Sequence, residues 1–116
     1  MKRLRAVVLA FAATLTLSMF ALPVFASSFS TDSWGCGWSG GSAGGGLTNY
    51  SWTSAAAWCS LGAGVQVDYY FQGSWHSAPW RWASTYVQDN QFGSLSATHQ
   101  IYVSGYGYGQ LEYSYY

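Results

Sequence analysis

The sequence predicts an all-β protein: a small antiparallel β-sandwich of two sheets carrying a Gly-rich N-terminal segment. Three observations lead there. Apolar and polar residues alternate with a period of two over several short stretches, the pattern of strands with one face buried. Turn residues punctuate those stretches at intervals of about 8–12 residues, as in small sandwiches and barrels. After residue 26 no segment carries helical periodicity beyond a turn or two.

The elements follow in order. Residues 27–46 are mostly Ser, Gly and Trp, with Gly40-Gly41 and Gly44-Gly45-Gly46 as flexible punctuation. Trp34-Gly35-Cys36-Gly37-Trp38 is too aromatic for a bare linker, and Cys36 is expected to tie this lead to a body spanning 47–116, as an edge strand. Tyr50 and Trp52 then alternate with Ser51 and Thr53. Ala55 to Leu61 is ambiguous between a helical turn and a strand. Val65, Val67, Tyr69 and Phe71 fall on one face and Gln66, Asp68, Tyr70 and Gln72 on the other, the clearest half-buried strand in the chain. Trp80 to Val87 alternates as one further strand, with Trp80 and Trp82 on one face and Arg81 on the other. Leu95, Ala97, His99, Ile101 and Val103 define the next, and Leu111, Tyr113 and Tyr115 the last. Gly73-Ser74 with Pro79, Asp89-Asn90 with Gly93, and Gly105 to Gly109 supply the turns. The Gly105-Tyr106-Gly107-Tyr108-Gly109 run has no lysine or helix behind it, so it reads as a hairpin loop rather than a phosphate cradle.

Charge is where the composition is most informative. The 116 residues hold four Lys+Arg and four Asp+Glu, a formal balance of zero. Lys2, Arg3 and Arg5, however, open a segment that runs uncharged from Ala6 to Leu22, breaks at Pro23 and ends Val24-Phe25-Ala26 before Ser27. That is the build of a secretory signal peptide over residues 1–26 rather than a membrane anchor. Its removal leaves 90 of the 116 residues, with Arg81 alone facing Asp32, Asp68, Asp89 and Glu112, a formal charge of −3. The mature protein is therefore expected to be extracellular, with no transmembrane segment. Nucleic acid is excluded as a partner because phosphate contacts need Lys or Arg, and polybasic attraction to anionic lipid is excluded on the same ground.

All seven Trp and all ten Tyr lie in the mature part. Cys36 and Cys59 are expected to form a disulfide in an oxidising compartment, a cross-link worth roughly 3 kcal/mol for a loop of this length. Cys36, Cys59, His76 and His99 lack the close pairwise spacing of a structural zinc site, so no metal or other cofactor is expected. Catalysis is poorly supported. Ser77, His76 and Asp68 can be drawn as a triad, but adjacent residues on a strand point to opposite faces. His99 shares a face with Leu95, Ile101 and Val103 and is expected in the core. No catalytic residue is assigned.

Binding is better supplied. Trp75-His76-Ser77-Ala78-Pro79-Trp80-Arg81-Trp82 gathers three Trp, one His and the only mature Arg. Aromatic faces stack on sugar rings, and Arg forks onto carboxylate or phosphate. Trp80 and Trp82 are expected mainly in the core, because aliphatic residues are scarce. Trp75 and His76, in the turn before Pro79, are expected to be exposed. The binding candidates are Trp75, His76, Ser77 and Arg81.

Asp68-Tyr69-Tyr70-Phe71-Gln72-Gly73-Ser74-Trp75-His76-Ser77-Ala78 resembles the signature of the lactococcin-972-like bacteriocins, in which Gly/Pro-Ser is followed after one or two residues by His-Ser-Ser/Ala. Trp82-Ala83-Ser84-Thr85 is similar to that family's Trp followed by Ala, and the Tyr-rich C-terminus agrees; the resemblance covers about 68–116. It implies a β-sandwich, secretion, and inhibition of related bacteria at the cell envelope through the wall precursor lipid II, with His76 and Ser77 as motif residues. The family's Gly-Gly-x-Trp opening is not matched by Gly45-Gly46-Leu47, and the family is usually more basic. Two other readings fit the composition: a secreted, non-toxic carbohydrate- or wall-binding β-module, and a self-associating surface protein that forms homo-oligomers by edge pairing of Tyr/Gly/Ser-rich strands.

Overall fold

A computed structural model describes residues 27–116; the segment 1–26, read above as a signal peptide, lies outside the described residues. The described residues form ten strands: β1 (Ser27–Ser33), β2 (Cys36–Gly44), β3 (Asn49–Ala55), β4 (Ser60–Phe71), β5 (Ser74–Ser77), β6 (Arg81–Ala83), β7 (Tyr86–Gln91), β8 (Leu95–Val103), β9 (Gly107–Tyr108) and β10 (Glu112–Tyr115). They build two antiparallel sheets, the all-β architecture the alternation predicts. The first has the order β1-β2-β3-β7 and the second β10-β8-β4-β5, with β6 also paired to β4 and β9 to β8.

The second sheet follows the sequence pattern closely. Val65 and Val67 of β4 and Leu95, Ala97, Ile101 and Val103 of β8 are buried between the sheets. The β4–β8 ladder runs from Ser60 to Tyr69, with one irregularity between Ser60 and Gly62. Further along β4, burial fades from Tyr69 to Phe71, so the β4–β5 hairpin projects past the core.

The lead segment is built into the sandwich. Its β1 and β2 pair in full register and β2 continues onto β3, so residues 27–44 supply half the strands of the first sheet. Cys36 and Cys59 form the expected disulfide, fixing the start of β2 to the turn that opens β4. The ambiguous stretch resolves as the end of β3, a turn over residues 56–59 and the start of β4, with Trp58 and Leu61 exposed.

The single strand expected over Trp80–Val87 is two strands in different sheets. The chain leaves β4 after Ala83, bends at Ser84-Thr85 and joins β3 as β7, where Thr53 pairs with Val87. Trp80 and Trp82 are also not core residues: Trp82 is 42% exposed and Trp80 is half-buried. Their place between the sheets is filled by Cys36, Trp38, Cys59 and Val87 together with Phe29 and Tyr116.

Five of the polar residues that face inward, Ser42, Ser51, Thr53, His99 and Ser114, are linked in one network. His99 is completely buried, as expected. Its Nδ1 lies 2.8 Å from Thr53 Oγ1, and that hydroxyl donates to the Gly64 carbonyl at 2.9 Å. Ser114 Oγ donates to His99 Nε2 at 2.6 Å, and Ser42 Oγ lies 2.6 Å from Ser114 Oγ and 2.7 Å from Ser51 Oγ. A hydroxyl that donates to a carbonyl accepts from the ring, which assigns the Nδ1–H tautomer. This chain joins β2 and β3 of one sheet to β4, β8 and β10 of the other.

Candidate functional site

Since side chains alternate along each strand, the inward set fixes the outward set. On the second sheet, the partners in register lay out rows. Tyr115, Ser96, Asp68 and Ser77 form one, and Tyr113, Thr98 and Gln66 the next. Beyond them come Gln100, Gly64 and Trp82, then Tyr102 beside Gly62. At the projecting end Tyr70 pairs with Trp75, their rings meeting edge to face at 5.5 Å.

Two glycines shape this face. The Trp82 indole lies over β4, where a Cβ on Gly64 would fall 2.6 Å from the ring and one on Gly62 3.3 Å. Glycine at both positions lets the ring lie against the backbone. Trp80 stacks on Trp82 at 5.5 Å and 21°, Tyr108 meets Trp82 edge-on at 5.6 Å, and Tyr102 meets Tyr108 at 4.8 Å. The aromatic platform is thereby held by its own ring contacts, with Trp82, Tyr102, Tyr108, Tyr113 and Tyr115 exposed.

An open cleft of about 330 Å³ lies on the same face, lined by Asp68, Trp75, Ser77 and Ser96. Ser77 Oγ donates to Asp68 Oδ1 at 2.6 Å, so the carboxylate is already oriented. Two of the four sequence-predicted binding residues, Trp75 and Ser77, come together here. The other two do not.

His76 points to the opposite face of β5. It stacks on Tyr69 at 5.3 Å and 23°, and its Nε2–H donates to the Phe71 carbonyl at 3.2 Å. The Ser77, His76 and Asp68 side chains therefore form no relay, because the histidine is on the wrong side of the strand. Arg81 faces the first sheet, where its Nε lies 3.2 Å from Asp89 Oδ1. The Asp89 side chain is 1% exposed, and its Oδ2 has no hydrogen-bond partner among the described residues. Arg81, the one arginine among the described residues, thus neutralises a buried acid across the two sheets and is not available to fork onto a ligand anion.

Sequence reasoning does not name Tyr102, Tyr108, Tyr113 and Tyr115 among the binding candidates, although all four are exposed. The available signal was the exact alternation of β8 and β10: once His99 and Ser114 face inward, Tyr102, Tyr113 and Tyr115 must face out. Among the described residues no three His, Cys, Asp or Glu side chains gather as metal ligands. No family model, curated protein or solved structure matches this chain.

Proposed function

We propose that the chain is a secreted antibacterial protein that acts at the cell envelope of related bacteria by binding the sugar portion of the wall or of its precursor lipid II. The observation that carries this reading is the outer face of the second sheet. There Trp75, Trp82, Tyr113 and Tyr115 are exposed beside hydroxyl and amide side chains, and Asp68 is the one charged group in its rows. Ring faces flanked by neutral hydrogen-bonding groups suit pyranose rings, which offer C–H surfaces and hydroxyls together. With Arg81 engaged by Asp89, the pyrophosphate of lipid II finds no free side-chain cation among the described residues. Recognition therefore runs through sugar and not through phosphate.

The test is a spot assay of the oxidised, exported chain on related Gram-positive strains, with purified wall and purified lipid II as separate antagonists. Inhibition relieved by either supports the reading; inhibition relieved by neither removes the mechanism. Binding to purified wall with no inhibition of any strain selects the second reading, a non-toxic wall-binding module, which the same face would serve. Self-association is less well supported, because the exposed edge of β10 is partly closed by β1: Tyr115 N donates to Ser27 Oγ at 2.7 Å.

A further inference from the structure

The outer face of the first sheet carries a groove of different construction. Register places Ser39, Ser54 and Tyr86 in one row across β2, β3 and β7. Gly41, Trp52 and Gln88 form the second row, and Ala43, Tyr50 and Asn90 the third. The β2 members are all small, so the half-buried rings of Tyr50 and Trp52 stand as a wall above a low floor. The resulting open cleft, about 580 Å³, is lined by Ser39, Tyr50, Trp52, Ser54, Tyr86 and Gln88. Tyr50 and Trp52 lie two residues apart on one strand, about 7 Å, the scale of a sugar residue.

The far wall is a ladder of polar side chains fixed to one another. Tyr86 Oη donates to Gln88 Oε1 at 2.8 Å, Gln88 Nε2 to Asn90 Oδ1 at 2.8 Å, and Asn90 Nδ2 to Thr48 Oγ1 at 3.4 Å. Each amide keeps a second N–H and a second carbonyl lone pair for another partner. Because the ladder is already ordered, a ligand that bonds to it loses less side-chain entropy on binding. None of the six lining side chains carries a charge. The nearest acid on this face, Asp32 at the β1–β2 turn, has its Oδ2 taken by the Gly35 N–H. Electrically, the groove complements a neutral chain and offers nothing to a nucleic acid, an anionic lipid or an acidic peptide.

We infer that this groove is a second glycan site, taking an uncharged oligosaccharide stacked on Tyr50 and Trp52 and hydrogen-bonded to Gln88 and Tyr86. The inference rests on the glycan reading of the second sheet for its ligand class, but on none of the same residues. The two sites face opposite sides of a sandwich whose sheets pack about 10 Å apart. One short glycan cannot reach both, so the protein binds two strands and bridges them.

The probe is the soluble N-acetylglucosamine hexamer, titrated calorimetrically into the oxidised, exported chain. The expected stoichiometry is two hexamers per chain. Trp52→Ala, with an unchanged far-UV spectrum, leaves one, its other site losing at least about tenfold in affinity, the equivalent of ~1.4 kcal/mol. A Trp75→Ala/Trp82→Ala variant leaves the other. Should Trp52→Ala fail to fold, Tyr86→Ala at an exposed ring replaces it. Two hexamers bound by folded Trp52→Ala overturn the inference, as does a single hexamer lost in Trp75→Ala/Trp82→Ala; that second result leaves the reading of the second sheet standing. A single hexamer lost only with Trp52→Ala keeps the groove and removes the second-sheet site. No binding by the parent chain overturns both.

Discussion

His99 and Thr53 meet at 2.8 Å across the gap between the two sheets, the ring nitrogen of one strand against the hydroxyl of another. Desolvation by burial lowers the His99 pKa from 6.5 to about 4, against a smaller opposing effect of the backbone at Trp52. Both ring nitrogens are already hydrogen-bonded in the neutral ring, and burial opposes the charge that a second proton would bring. The unfolded chain binds a proton near pH 6.5 and the folded one only near 4. Stability from this residue is therefore complete above 6.5 and is lost as pH falls from there through about 4. The loss is on the order of 3 kcal/mol. Urea midpoints measured between pH 7.5 and 3.5 should fall along that window, and His99→Gln should flatten the curve.

The packing of Trp82 on Gly64 predicts a sensitive position outside the core. Gly64→Ala places a methyl group inside the indole ring volume, so the ring must lift from the sheet. We expect a loss of about 1–3 kcal/mol, the usual effect of overpacking, together with red-shifted tryptophan emission. Fluorescence-detected denaturation checks both. Gly46→Ala, which meets no atom within 4 Å but sits at φ 92°, should be destabilising without the spectral change.

Arg81 and Asp89 are unequally placed, since the arginine is half-exposed and the aspartate buried. Arg81→Met strands a desolvated carboxylate and should cost about 2 kcal/mol. Arg81→Met with Asp89→Asn should recover part of that, because a neutral amide is cheaper to bury than an unpaired charge. Thermal midpoints of the three proteins give the comparison.

Much of the fold could be read from β4 and β8, where Val, Leu and Ile face inward and the period of two reports burial directly. It could not be read where burial and hydrophobicity part. In β3 and β10 the inward residues are Ser51, Thr53 and Ser114, recruited by the His99 network, while Tyr50, Trp52, Tyr113 and Tyr115 face away from the core. Hydrophobic patterning assigns such strands inside out. In β2 the inward positions include Gly40, where a Cβ would lie 2.8 Å from the His99 ring. A strand made small by its neighbours carries no apolar signal. Between β6 and β7 the alternation passes unbroken through Ser84-Thr85 while the chain changes sheets, so period alone hides the crossing. At the candidate site, the local density of aromatic and polar residues singles out the stretch that holds Trp75 and Ser77. Separating them from His76 and Arg81 required knowing which face each strand turns outward.

The disulfide yields the simplest measurement. The disulfide links Cys36, at the start of β2 in the first sheet, to Cys59, in the turn that opens β4 of the second, and reduction should lower stability by about 3 kcal/mol and Tm by on the order of 15 °C. Calorimetry with and without reductant, with Cys36→Ser/Cys59→Ser as the reference for the reduced state, checks it.

The ion pair at Arg81 has one further consequence, for how the folded chain meets a protease. Residues 27–116 contain no lysine and a single arginine, so a trypsin-like protease finds one cleavable bond, Arg81–Trp82. That bond lies within β6, hydrogen-bonded to β4, with the specificity-determining guanidinium held against Asp89 and the following indole laid over the sheet. Cutting it requires peeling β6 away first, so proteolysis becomes a clock for local opening rather than for encounter with the enzyme.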